Sequence, residues 1–191
     1  MKRLVIIPLM IMATTLHAQI QLGLKAGVNI SNFTGGDFNE IENKALVGFH
    51  AGGLARIVFN KLALQPEVVF SSQGAKLENA GSESNYKISY INIPVLIQYE
   101  TKGGFYLEAG PQFGFKLSED IPDETIEDFA KSTDLSIAMG LGYHSKMGLG
   151  IGGRYNVGVS KVGDFDSGDI DPDFKQGVIQ ISLFYTFFNK K

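Results

Sequence analysis

Gly177-Val-Ile-Gln-Ile-Ser-Leu-Phe-Tyr-Thr-Phe-Phe188, close to the end of the chain, is the stretch whose reading decides the fold. Ile179, Ile181, Leu183, Tyr185 and Phe187 fall on one face of an extended backbone, and Gln180, Ser182 and Thr186 fall on the other. Successive side chains of a strand point to opposite faces, so a period of two with one apolar and one polar side marks a strand. A soluble sandwich would contain such a strand too. The decision comes from the recurrence of the pattern and from what precedes it.

Met1 to Arg3 carry positive charge, Leu4 to Leu16 form an apolar run, and Ala18 is a small residue before Gln19. This order predicts a secretory signal over residues 1–18 and a mature domain over 19–191. The apolar run is too short for a membrane anchor: thirteen helical residues rise about 20 Å, against a hydrocarbon core of about 30 Å. No later run reaches the eighteen apolar residues that a spanning helix needs. With 191 residues and 44% hydrophobic content the chain suits one domain. It has no cysteine, which excludes a lipoprotein anchor, disulfides, thiol catalysis and thiolate metal sites.

Seven further segments alternate in the same way. They run from Gln19 to Ser31, Ala45 to Phe59, Leu62 to Lys76, Tyr86 to Glu100, Phe105 to Lys116, Leu135 to His144 and Leu149 to Ser160. The first is the cleanest, with Ile20, Leu22, Leu24, Ala26, Val28 and Ile30 against Gln21, Gly23, Lys25, Gly27 and Asn29. Their lengths suit tilted membrane-spanning strands of about nine to eleven residues plus their ends. Proline cannot donate to a ladder, so Pro66, Pro94 and Pro111 predict local bulges.

The connections alternate between long and short. Residues 32–44, 77–85, 118–131 and 162–175 are long, whereas Asn60-Lys61, Thr101 to Gly103 and Ser145 to Met147 are turn-sized. An outer-membrane barrel sorts its connections in this way, with long loops outside and short turns in the periplasm, which predicts periplasmic termini. Charge follows the same division. Sixteen of the twenty acidic residues lie in the long connections, and Lys61, Lys102, Lys146, Lys190 and Lys191 lie at the opposite side. Pro122 to Ala130, with early acids and Ile126 three before Phe129, predicts a short helix inside the third loop.

Three stretches carry a family resemblance: Gly23-Leu-Lys-Ala-Gly-Val-Asn29, Leu62-Ala-Leu-Gln-Pro-Glu-Val-Val-Phe-Ser-Ser-Gln-Gly74 and Tyr90-Ile-Asn-Ile-Pro-Val-Leu-Ile-Gln-Tyr99. They resemble the motifs of the PorT-like family, small outer-membrane β-barrels widespread in Bacteroidota. Asn92 stands where that family usually has a glutamate before Ile-Pro. The resemblance implies an eight-stranded outer-membrane barrel, and its namesake branch assists an envelope secretion machine.

The inward faces of the segments carry Lys25, Arg56, Glu67, Glu100, Glu108, Lys116 and Arg154. An eight-stranded barrel has room for its own side chains or one small ligand, so pairing among these charges predicts a lumen plug centred on Glu67, Glu108, Arg154 and Lys25. His50 and His144 point inward as well. No nucleophile motif surrounds any serine, so they read as lumen histidines and the protein as no enzyme. Gly148-Leu-Gly-Ile-Gly-Gly153 mimics a phosphate loop but lies within a strand pattern, where such a loop must open a helix. Asp164, Asp166, Asp169, Asp171 and Asp173 are weak candidates for divalent cations, without the closing glutamate of an EF-hand. Acidic loops and a net charge of -3 exclude nucleic-acid binding.

The reading is therefore an all-β, closed, eight-stranded antiparallel transmembrane barrel of up-and-down topology, monomeric, without a cofactor. Its surroundings are outer-membrane lipid and lipopolysaccharide, with an envelope protein as a partner through the loops. A structural or interaction role leads. A narrow channel or carrier for a small molecule, an accessory of a secretion machine, and a soluble lipocalin-like carrier are the alternatives.

Overall fold

A computed structural model describes residues 19–34, 42–79, 82–120, 132–160 and 175–187. They form eight strands: β1 (Gln19–Thr34), β2 (Glu42–Phe59), β3 (Leu62–Asn79), β4 (Ser82–Glu100), β5 (Phe105–Asp120), β6 (Thr133–His144), β7 (Leu149–Gly158) and β8 (Lys175–Phe187). Each pairs antiparallel with the next, and β8 closes on β1, so the sheet is a barrel without an edge. No helix among the described residues is long and apolar enough to cross a membrane.

The register fixes the tilt. Starting at Ile20, the pairings run through Ile57, Leu64, Ile97, Ala109, Met139, Tyr155 and Ile179, and return to β1 at Ile30. One circuit thus climbs ten residues, a stagger that tilts eight strands by roughly 40–45° to the axis. Every residue on that circuit is apolar, and the band it belongs to faces outward: Ile97 and Leu107 are each 62% exposed and Leu183 is 60% exposed. Glu67 and Arg154 are enclosed, at 2% and 5%. Apolar surface on the outside and charge on the inside reverses a soluble globule, and it suits a surround of acyl chains. Aromatic rings border the band near the short turns, where Phe105 meets Tyr143 and Tyr185 meets Phe187, each at 5.2 Å between centroids.

The proline expectation fails. Pairing keeps one register through Pro66, Pro94 and Pro111, while the irregularities fall between Ala45 and His50 and between Ser89 and Tyr90. The reason lies in the register itself. The ladder lapses between Pro66 and Val69 on β3–β4 and between Pro94 and Ile97 on β4–β5, then resumes in the same register, so the missing donors cost ladder bonds without inserting a residue.

The strands also outrun the sequence segments. β3 and β4 continue to Asn79 and Ser82, so most of the connection expected at 77–85 is a paired hairpin. Loss of apolar alternation in that sequence marks the edge of the lipid band, and the backbone ladder continues past it. The helix expected over Pro122 to Ala130 and the aspartates from Asp164 to Asp173 lie outside the described residues, as does the expected signal segment.

Candidate functional site

Among the described residues, the lumen is where charged side chains converge. Lys25 (β1), Glu67 (β3), Glu108 (β5) and Arg154 (β7) sit on the inner face of alternate strands, and the barrel's curvature brings them together at its centre. Arg154 donates to Glu67 through Nη1 at 3.0 Å and Nη2 at 2.7 Å, and to Glu108 through Nε at 2.7 Å. Lys25 Nζ lies 3.2 Å from Glu67 Oε2, and Gln65 donates to Glu67 Oε1 at 2.7 Å. Two cations and two carboxylates cancel. Desolvating such ions costs several kcal/mol each, which their mutual contacts offset only when every charge is matched.

The network continues toward the short turns. Gln98 donates to Glu108 Oε2 at 2.7 Å and accepts from Arg56 Nε at 3.1 Å. Arg56 Nη1 reaches Gln21 and His144, and Nη2 pairs with Glu100. Because arginine only donates, the His144 Nδ1 it meets accepts, and Nε2 faces Thr186 Oγ1 at 2.9 Å. Six of the seven sequence-named charges thus share one connected network.

Lys116 does not join at the centre. It lies toward the long-loop end and pairs with Glu119 at 3.1 Å. The irregularity that skips Leu117, with Tyr90 opposite Lys116 and Ser89 opposite Ser118, puts residues three apart on one face. A strict period of two could not show that.

Above the charges lies a ring that sequence reasoning missed. Asn29, His50, Ser71, Asn92, Gln112, Ser136, Asn156 and Gln180 come one from each strand, all uncharged and all buried. His50 Nδ1 lies 2.7 Å from Asn29 Oδ1 and its Nε2 2.9 Å from Ser182 Oγ, and Asn29 Nδ2 donates to Ser71 at 2.9 Å. Serine, histidine and asparagine in that order resemble a nucleophilic triad in connectivity. The set is enclosed within the lumen, with Ser182 only 4% exposed. The signal for the ring was present as neutral polar residues at the inward positions, but only the stagger places them at one level.

Glycines make the space. A Cβ on Gly150 would enter the ring of Phe184, and one on Gly140 would come within 2.9 Å of Glu108 Oε1. The lean inner faces of β6 and β7 therefore admit Tyr106, Phe184 and Glu108. Below the network, a cavity of about 720 Å³ opens at the short-turn end, with Arg56, Glu100 and His144 among its lining. Among the described residues no group of three or more His, Cys, Asp or Glu side chains could hold a metal ion.

A closed barrel with an apolar exterior and an ion-paired interior defines the class: a β-barrel protein of the outer membrane. Residues 13–163 match the family described as outer membrane protein beta-barrel domain, and the chain belongs to that family. Among solved structures it is similar to Neisserial surface protein A, at 16% identity and a TM-score of 0.57, over 87% of this chain and 97% of that one. It is also similar to the outer membrane protein OprG from Pseudomonas aeruginosa, at 12% identity and a TM-score of 0.52, over 90% of this chain and 98% of that one. Likenesses at these identities show the shared fold. A comparison with curated proteins finds no match.

Proposed function

We propose that this protein is a non-conducting, non-enzymatic barrel that performs a structural or interaction role in the outer membrane, with its long loops outside and both termini in the periplasm. The observation that carries this reading is the connected network from Lys25 to Glu100, which fills the lumen with matched charges. An eight-stranded barrel has no room for a water path beside such a filling. Residues 1–18 serve as the export signal in this reading, and the acidic loops meet lipopolysaccharide or an envelope protein.

The resemblance of the three motif stretches supports membership of the PorT-like family. The three motif stretches contribute Lys25, Asn29, Gln65, Glu67, Ser71, Asn92 and Gln98, all of them lumen residues, so the motif coincides with the filling. An accessory role beside a secretion machine is the second reading, and it rests on that resemblance.

Planar-bilayer recording of the purified protein tests the first reading. The expected record is flat, and a steady unitary conductance refutes it. Lys61→Cys, Lys102→Cys and Lys146→Cys test the orientation: an impermeant thiol reagent should label them only after the outer membrane is opened, and labelling of intact cells reverses the assignment.

A further inference from the structure

The short-turn end of the barrel carries a feature that the lumen filling does not use. Three turns close it, and each places a lysine at its second position: Asn60-Lys61, Thr101-Lys102-Gly103-Gly104 and Ser145-Lys146-Met147-Gly148. The last two are built alike. In each, the first residue's N–H bonds to the carbonyl four residues on, at 2.8 Å, and the glycine's N–H returns to the first residue's carbonyl at 3.0 Å. Gly104 and Gly148 take φ of 89° and 94°, which only glycine adopts without strain. The same construction thus delivers Lys102 and Lys146 to equivalent places on the rim.

Lys61, Lys102 and Lys146 all line the cavity of about 720 Å³. All three are exposed, and none has an ion-pair partner among the described residues. Among the described residues, Glu100 is the only carboxylate in the lining, and it is already engaged by Arg56. Arg56 and Glu100 cancel, which leaves the rim with three uncompensated positive charges. Ser145 adds a buried hydroxyl without a hydrogen-bond partner. The cavity falls in the size range of small-ligand sites, and one-signed charge around a low-dielectric concavity concentrates counter-ions.

We propose that this vestibule is a binding site for a multivalent oxyanion of the phosphate-ester class, held by Lys61, Lys102 and Lys146, with the Ser145 hydroxyl as a further hydrogen-bonding group. The ligand is either a soluble phosphate compound or the headgroup of a lipid in the adjacent leaflet. The chemistry is the same in both. Neutral solutes gain nothing from the rim, and single monovalent anions engage one lysine at a time, at the strength of an exposed pair screened by salt.

The test is calorimetric titration of the full barrel with inorganic pyrophosphate, in a neutral maltoside detergent. The expected result is saturable binding that weakens at least about tenfold in the triple variant Lys61→Gln, Lys102→Gln, Lys146→Gln, and is unchanged in Lys87→Gln, an exposed lysine on β4 away from the rim. Heat-modifiable migration on gels checks that each variant folds. Repetition in nanodiscs of phosphatidylcholine, with and without phosphatidylglycerol, separates the sources: competition by the anionic lipid assigns the headgroup, and its absence assigns the soluble compound. Non-saturable uptake, or equal binding by wild type and the triple variant, overturns the site. A flat conductance record bears on the lumen alone, so the two readings fail separately.

Discussion

Replacing Glu67 by glutamine tests the lumen filling most directly. Glu67 is the hub of the network: it accepts from both terminal nitrogens of Arg154, from Lys25 and from Gln65, and it is 2% exposed. The introduced amide keeps one acceptor oxygen and turns an N–H donor toward two cations. The four-residue cluster of Lys25, Arg154, Glu108 and the substituted position then carries a net charge of plus one instead of zero. Breaking a buried pair by removing one partner costs about 3–5 kcal/mol, because the remaining charge stays desolvated. Lys25→Met alone leaves a net charge of minus one, with Glu67 still held by Arg154, and should cost less. The double variant Glu67→Gln, Lys25→Met restores neutrality through Arg154 and Glu108. It should be more stable than Glu67→Gln by about 2 kcal/mol, so the coupling between the two sites is larger than that by the cost of Lys25→Met, well above the additivity error for independent sites. The chain has no tryptophan, so urea titrations in lipid would be followed by far-ultraviolet circular dichroism and gel mobility. A Glu67→Gln cost below about 1 kcal/mol, or a double variant equal to the sum of its singles, would refute charge matching as the basis of the filling.

Two other predictions follow from the packing. Gly150→Ala should destabilise by about 1–3 kcal/mol, because its methyl enters the Phe184 ring, and Phe184→Leu on the same chain should recover part of that loss in the same urea titration. Ile97→Arg and Leu107→Arg, on the outward band, should each cost about 2–4 kcal/mol in a lipid bilayer; a cost near zero would place these positions outside the hydrocarbon.

The long hairpin of β3 and β4 shows where local pattern stops being informative. Leu77, Glu78, Asn79 and Ser82 to Asn85 break the apolar alternation, yet their ladder is intact. Side-chain polarity reports the solvent around a strand, and hydrogen bonding decides where the strand ends. The prolines make the same point from the other direction. Pro66, Pro94 and Pro111 lack donors, and the expected bulges are absent because the ladder lapses beside them and resumes without a change of register.

The amino-acid sequence by itself determined the barrel and which residues face inward, because a period of two is a local property that each segment states alone, whereas the long connection it marked at 77–85 is mostly paired strand. It also named Lys25, Arg56, Glu67, Glu100, Glu108 and Arg154 as inward charges. Only the tertiary structure decided which of them meet. Lys25 and Glu67, or Glu67 and Arg154, lie 42 and 87 residues apart, and their contact depends on closure and on a stagger of ten residues that no single strand encodes. The same stagger lifts eight uncharged residues into one ring, since the level of a side chain in a tilted barrel is set by its neighbours' register, and the irregularity at Leu117 leaves Lys116 to Glu119.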